Sequence, residues 1–148
     1  MKSFLTLITI LAALLWPVSI HAQKGLNINK AFTDRYRDMK GATETLVVKD
    51  KLRNVNLDTY HSLSIAGHPE TASELERMVL ADARTAVSKE VRYKAGHLYY
   101  GLYRLPSITR GVNRYIIFLN GHLAGDNKII LLYLEGKAST EQVKKMLK

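Results

Sequence analysis

The chain contains no cysteine. That absence excludes disulfides, thiolate metal ligands, thiol nucleophiles and any lipid carried on a cysteine. Stability must therefore come from a hydrophobic core, which 148 residues can supply. Catalytic signatures are missing as well. There is no G-x-S-x-G elbow, no H-E-x-x-H, no phosphate-binding loop and no dinucleotide fingerprint. No internal repeat, low-complexity tract or linker divides the sequence, and no block of five or more like charges occurs in it. No catalytic residue and no cofactor can be assigned. The longest apolar run, residues 4–18, is interrupted by Thr6, Thr9 and Pro17 and falls short of the about 20 residues of a bilayer span.

What is present begins with that run. Lys2 precedes it, and Ile20-His21-Ala22 follows with an aliphatic residue at −3 and a small one at −1. This is the pattern of a cleavable export signal, residues 1–22, with cleavage before Gln23. It leaves 23–148 as a single domain that is not an integral membrane protein. The chain carries a formal charge of +9, from 22 Lys and Arg against 13 Asp and Glu. A scattered basic surface accounts for this charge, and export argues against nucleic acid as a partner.

The strongest pattern lies in 97–136. Three runs rich in Tyr, Ile, Leu and Phe (98–105, 114–120 and 128–135) are split by two Gly-containing loops. Such runs joined by short turns read as antiparallel neighbours, a β-meander. Upstream, residues 30–40 read as a short helix with Asn29 as N-cap and Gly41 as its stop. Residues 43–48 and 60–66 read as strands, and 52–57 as a weak one. Residues 69–89 read as the longest helix, with Pro69 in its first turn and a stripe of Ala72, Leu75, Val79, Ala83 and Ala86 facing the sheet. Asp82 sits at the edge of that stripe, as a cap or salt-bridge partner. Residues 91–95 form a further strand. The chain ends in a helix, 139–148, where Ser139 and Gln142 have capping-box spacing. The expected architecture is α+β: one antiparallel sheet with a long central helix on one face and short N- and C-terminal helices. Its second face is to be covered by the first helix or by another protein.

The short N-terminal helix before KGATETLVVKD, the strand HSLSIAG, the long helix with LADA, then LYYGLY, NRYIIFLNG and KIILLYLEGKASTEQVKKM form one ordered set. In these segments the chain resembles a family of small exported proteins of Bacteroides-type bacteria, a domain of unknown function. The resemblance implies an α+β fold and a Gram-negative envelope location, periplasmic or secreted. It implies no activity and no site residue.

Three places can carry function. Tyr99, Tyr103, Tyr115 and Tyr133, expected near one another on the face away from the long helix, would suit an envelope protein partner, as would an exposed strand edge. Lys89, Arg92, Arg104, Arg110 and Arg114 gather toward one sheet end and would suit an anionic glycan or lipid head group. His68, His97 and His122 fall at the opposite end with Asp126, the donor types of a divalent metal site. Strand alternation separates His61 from Ser62, which argues against a serine nucleophile. The expected function is a non-catalytic interaction module, with anion binding as the alternative and metal binding third.

Overall fold

The structure, a computed structural model, describes residue 23 and residues 25–148. The expected leader, 1–22, lies outside the described residues. Six strands form one antiparallel sheet: β1 (Thr43–Val48), β2 (Leu57–Ala66), β3 (Ser88–Lys94), β4 (His97–Leu105), β5 (Asn113–Asn120) and β6 (Lys128–Gly136). Their order across the sheet is β1-β2-β6-β5-β4-β3. The meander runs β3 to β6 as its turn residues require, and the N-terminal hairpin β1–β2 then adds beside β6. Gly136 permits that junction, because a Cβ there would lie 2.6 Å from Leu57 Cα, a backbone atom with nowhere to go. Among the described residues the sheet is accompanied by the helices α1 (Asp34–Arg37), α2 (Pro69–Asp82) and α3 (Thr140–Met146). β2 lies second across the sheet and β3 sixth, so α2 must carry the chain over one whole face.

Two cores result. On the α2 face, Leu63, Ile65, Ile116, Phe118, Ile129 and Leu131 pack against Ala72, Leu75 and Val79 of α2 and against Ile28, Ala31 and Tyr36 of the N-terminal segment. On the other face, Tyr60, Leu102, Tyr115, Ile117, Leu132 and Leu134 pack under Val143 of α3 and Leu52 of the 3-10 turn Lys49–Val55. The second face is thus covered by this chain's own C-terminal helix and the β1–β2 connection, while the N-terminal segment lies on the α2 face. Ser139 and Gln142 make the capping box expected of them.

Four local readings change. The weak strand at 52–57 is the 3-10 turn, because a chain reversing between paired antiparallel strands cannot stay extended there. The long helix stops at Asp82, with one further 3-10 turn at Ala83–Thr85, and β3 starts at Ser88. The pairing of Ser88–Lys94 with β4 outweighs the helix preference of Ala83 and Ala86. The first helix is split into a 3-10 turn, Asn27–Ala31, and the single turn α1. Asp82 sets that start by accepting from Asn27 N (2.7 Å), Asn27 Nδ2 (2.9 Å) and Ile28 N (2.8 Å); it is a cap, for a turn remote in sequence. Finally, a bulge opposite Arg92 and Tyr93 adds Tyr99 to β4. Simple alternation groups Leu98 with Tyr100 and Leu102; the extra residue turns Leu98 into the α2-side core beside Tyr103.

Candidate functional site

The residues singled out in the sequence go to different places. Tyr103, Tyr115 and Tyr133 are buried, the first and last in the α2-side core and Tyr115 in the other. Large rings at strand centres are taken by the two cores, so these three are not a docking face. Only Tyr99 is half-exposed, with Lys94 Nζ 5.9 Å from its ring centre. Burial pushes the Tyr103 hydroxyl up to about 12, and burial, then the hydrogen bond to Glu135, raises that of Tyr133 further.

The basic residues also separate. Arg104 pairs across the strands with Tyr115 and Arg114 with Leu105, so their side chains leave opposite faces of the sheet. Arg114 is buried, and its Nε and Nη2 donate to Pro106 O at 3.0 and 2.8 Å. Arg104 donates to Asn113 Oδ1 at 3.0 Å, and its buried Nε has no hydrogen-bond partner. Arg110 is exposed in the β4–β5 loop. Lys89, placed by the sequence at a helix end, lies in β3. Arg92 sits four residues along the β3–β4 ladder from the Arg104 end, over the ring of Tyr100. The five do not form one patch.

His68, His97 and His122 do share one end of the sheet, as the alternation of turns requires. His68 precedes α2, His97 opens β4 and His122 lies in the 3-10 turn after β5. They do not converge with Asp126: among the described residues no group of three or more His, Asp or Glu could hold a metal ion. His97 faces Glu76 at 3.3 Å instead, and His122 packs beside Gly67.

Two unforeseen arrangements stand out. The first is on β1 and β2. His61 and Glu44 are diagonal neighbours on the α2 face, because His61 pairs with Leu46 and Glu44 with Leu63. His61 Nε2 lies 2.7 Å from Glu44 Oε1, and Nδ1 lies 3.0 Å from Gln23 Oε1. Phe32 stacks on the imidazole with ring centres 3.7 Å apart. Arg37 Nε donates to the second Glu44 oxygen at 2.6 Å. Burial pushes the Glu44 carboxyl up, but the hydrogen bonds from His61 and Arg37 outweigh it and hold the group below its usual range. His61 is 7 % exposed and both its ring nitrogens are engaged. The cluster ties β1, β2, α1 and Gln23 together.

The second arrangement is the opposite edge. Among the described residues β3 pairs with β4 alone, and most of its side chains are exposed. It carries three basic residues, Lys89, Arg92 and Lys94, against one acid, Glu90, which pairs with Lys144 of α3 at 3.0 Å. Tyr93 stands 58 % exposed among them, and Val87 just before the strand is also exposed. No sequence signal located His61–Glu44, since cross-strand register is not written locally. The β3 edge was foreseen only as the general route of strand addition.

The fold defines the class: a small α+β protein built on one antiparallel sheet with a single long crossover helix. The chain belongs to a family of unknown function, DUF6108, whose model matches residues 15–147. No curated protein and no solved structure matches it.

Proposed function

We propose that the protein is an exported, non-catalytic interaction module of the Gram-negative envelope, periplasmic or secreted, and that the outer edge of β3 takes up an extended acidic segment of a partner protein. The observation that carries this reading is the unpaired edge of a fully formed seven-residue strand with exposed basic side chains. A strand added there gains main-chain hydrogen bonds, and alternate side chains meet Arg92, Tyr93 and Lys94. Charge selects the occupant. A second copy of β3 would set Lys and Arg against Lys and Arg, a device that protects edges from self-pairing. An acidic segment meets the opposite field. Export is supported by the signal pattern of 1–22 and is compatible with the described residues, where no helix is long and apolar enough to cross a membrane.

Capture of partners from the envelope fraction tests the reading. Wild-type protein should retain partners that the combined variant Lys89→Glu, Arg92→Glu, Lys94→Glu does not; the same set on both refutes it. Recovery of the protein only from the cytoplasm would remove the envelope part.

An anionic glycan or lipid head group is the second reading, favoured by the buried Nε of Arg104, which has no hydrogen-bond partner, and by the exposed Arg110 in the loop that follows β4. It predicts that replacing Arg104 and Arg110 by Ser weakens retention on heparin.

A further inference from the structure

The basic charge, scattered in sequence, gathers in space. The register sets Gly136 between Leu57 and Asn113, Arg114 against Leu105, and Ser88 against Arg104. These strand ends therefore form one row. Beyond it lie the 3-10 turn Lys49–Val55, Lys137, the β4–β5 loop 106–112 and the 3-10 turn Ala83–Thr85. Lys49, Lys51, Arg84, Arg110 and Lys137 are exposed there, and Arg53 is paired with Asp50. Leaving that pair aside, these five bases meet two exposed acids, Asp58 and Glu141. At the other end of the sheet Lys40, Lys94 and Lys128 are balanced by Asp38, Glu70 and Asp126.

Two large apolar side chains also project from the basic end. Ile108 is 67 % exposed and Val87 60 %. Val87 N donates to Arg104 O at 2.8 Å, which places it beside the last turn of β4 into the loop that carries Ile108. That loop is held in shape at both ends. At its base the buried Arg114 donates twice to Pro106 O, and further on Val112 N donates to Thr109 O at 3.1 Å, in a turn where Gly111 has φ of 78°. Ile108 lies between these fixed points and stands in water, without the gain of burial. One exposed apolar residue is ordinary. Two beside an excess of bases select among anions. A soluble glycan meets the bases and leaves Ile108 and Val87 in water. The boundary of an anionic leaflet does both, with head groups for the bases and acyl methylenes for the apolar side chains.

Resting on the anion reading of Arg110, and independent of the β3 edge, we propose that this end of the sheet docks on an anionic lipid surface. Ile108 and Val87 enter the head-group boundary, with Lys49, Lys51, Arg84, Arg110 and Lys137 around them. The strands then run away from the leaflet, and the β3 edge stays open to a partner.

The test uses protein expressed from the full chain and recovered from the exported fraction of a Gram-negative host. It is sedimented with phosphatidylcholine vesicles that contain an equal part of phosphatidylglycerol. Binding should weaken with added salt. Lys51→Ser and Lys137→Ser should each weaken it about fivefold. Ile108→Ser should weaken it about tenfold and leave retention on heparin unchanged. A second variant reports on the loop itself: Ile108→Trp, made with Trp16→Phe so that no other indole is present. Its emission should shift to the blue on the anionic vesicles and not on phosphatidylcholine alone. Retention on heparin without binding to the anionic vesicles overturns the inference and leaves the anion reading standing. Loss of both removes both. Vesicle binding that Ile108→Ser does not weaken, or an indole that stays in water, overturns docking through this end.

Discussion

The two edges of the sheet are built on opposite principles. At β1, an aromatic ring, an imidazole, a carboxylate and a guanidinium are locked into one network, and the N-terminal segment is folded over it. At β3 the strand is held by one neighbour, by Val91 against the α2-side core and by Lys144, and most of its side chains are exposed. The same sheet therefore has an edge fixed by packed polar contacts and an edge protected only by charge. A finished, desolvated network is hard to adapt to a partner. A bare, charged strand can accept one without undoing anything.

Substitutions can break that contrast. The largest effect is expected at the centre of the β1 network: His61→Ala loses the Phe32 stack, two hydrogen bonds and the partner of Glu44, and should cost about 3 kcal/mol in denaturant unfolding. Tyr93→Ala on the other edge should stay within about 0.5 kcal/mol. Comparable losses at both sites would mean the edges are not different in kind. Next comes Glu44→Gln, expected to cost about 1–2 kcal/mol at neutral pH by removing the charged acceptor that His61 and Arg37 share. Its pH dependence has a definite sign. The folded Glu44 carboxyl is held below its ordinary value, so its contribution is present above the unfolded pKa of about 4.3 and is lost as pH falls through the folded value. Amide exchange should therefore show β1 loosening on acidification below about pH 4 while β3–β4 is unaffected, and Glu44→Gln should flatten that response.

A smaller change sharpens the β3 side. Ala95 and Gly96 turn β3 into β4 with φ of 52° and 79°, a conformation that Asn-Gly adopts far more readily. Ala95→Asn should raise stability by about 1 kcal/mol, read as a shift in the denaturant midpoint. The smallest effect on stability is expected from Lys89→Glu, Arg92→Glu, Lys94→Glu, under about 0.5 kcal/mol, although this is the variant that should lose partner capture. A large destabilisation would show that the β3 charges hold the fold rather than meet a ligand.

The candidate site was less legible than the fold, for a physical reason. Strand, turn and helix patterns are local, so the meander, the α2 stripe and the Ser139 capping box could be read residue by residue. Register is not local. Nothing within TETLVV or HSLSIAG says that Glu44 will stand diagonal to His61, or that Arg37 will reach the same carboxylate. The tyrosines mislead in the instructive direction: Tyr103, Tyr115 and Tyr133 look like adaptable surface, but a sheet covered on both faces needs large rings at its centre.

By itself the sequence determined the α+β class and the antiparallel meander, since both follow from periodicity and turn chemistry. Only the tertiary structure decided which face each residue served. The Tyr99 bulge reverses alternation for Leu98, the ladder with β4 cuts the long helix short, and Asp82 starts a 3-10 turn more than fifty residues away in sequence. Each is a competition between local preference and long-range pairing. Pairing wins because each contact it makes buries apolar surface or satisfies a polar group that local structure would leave exposed.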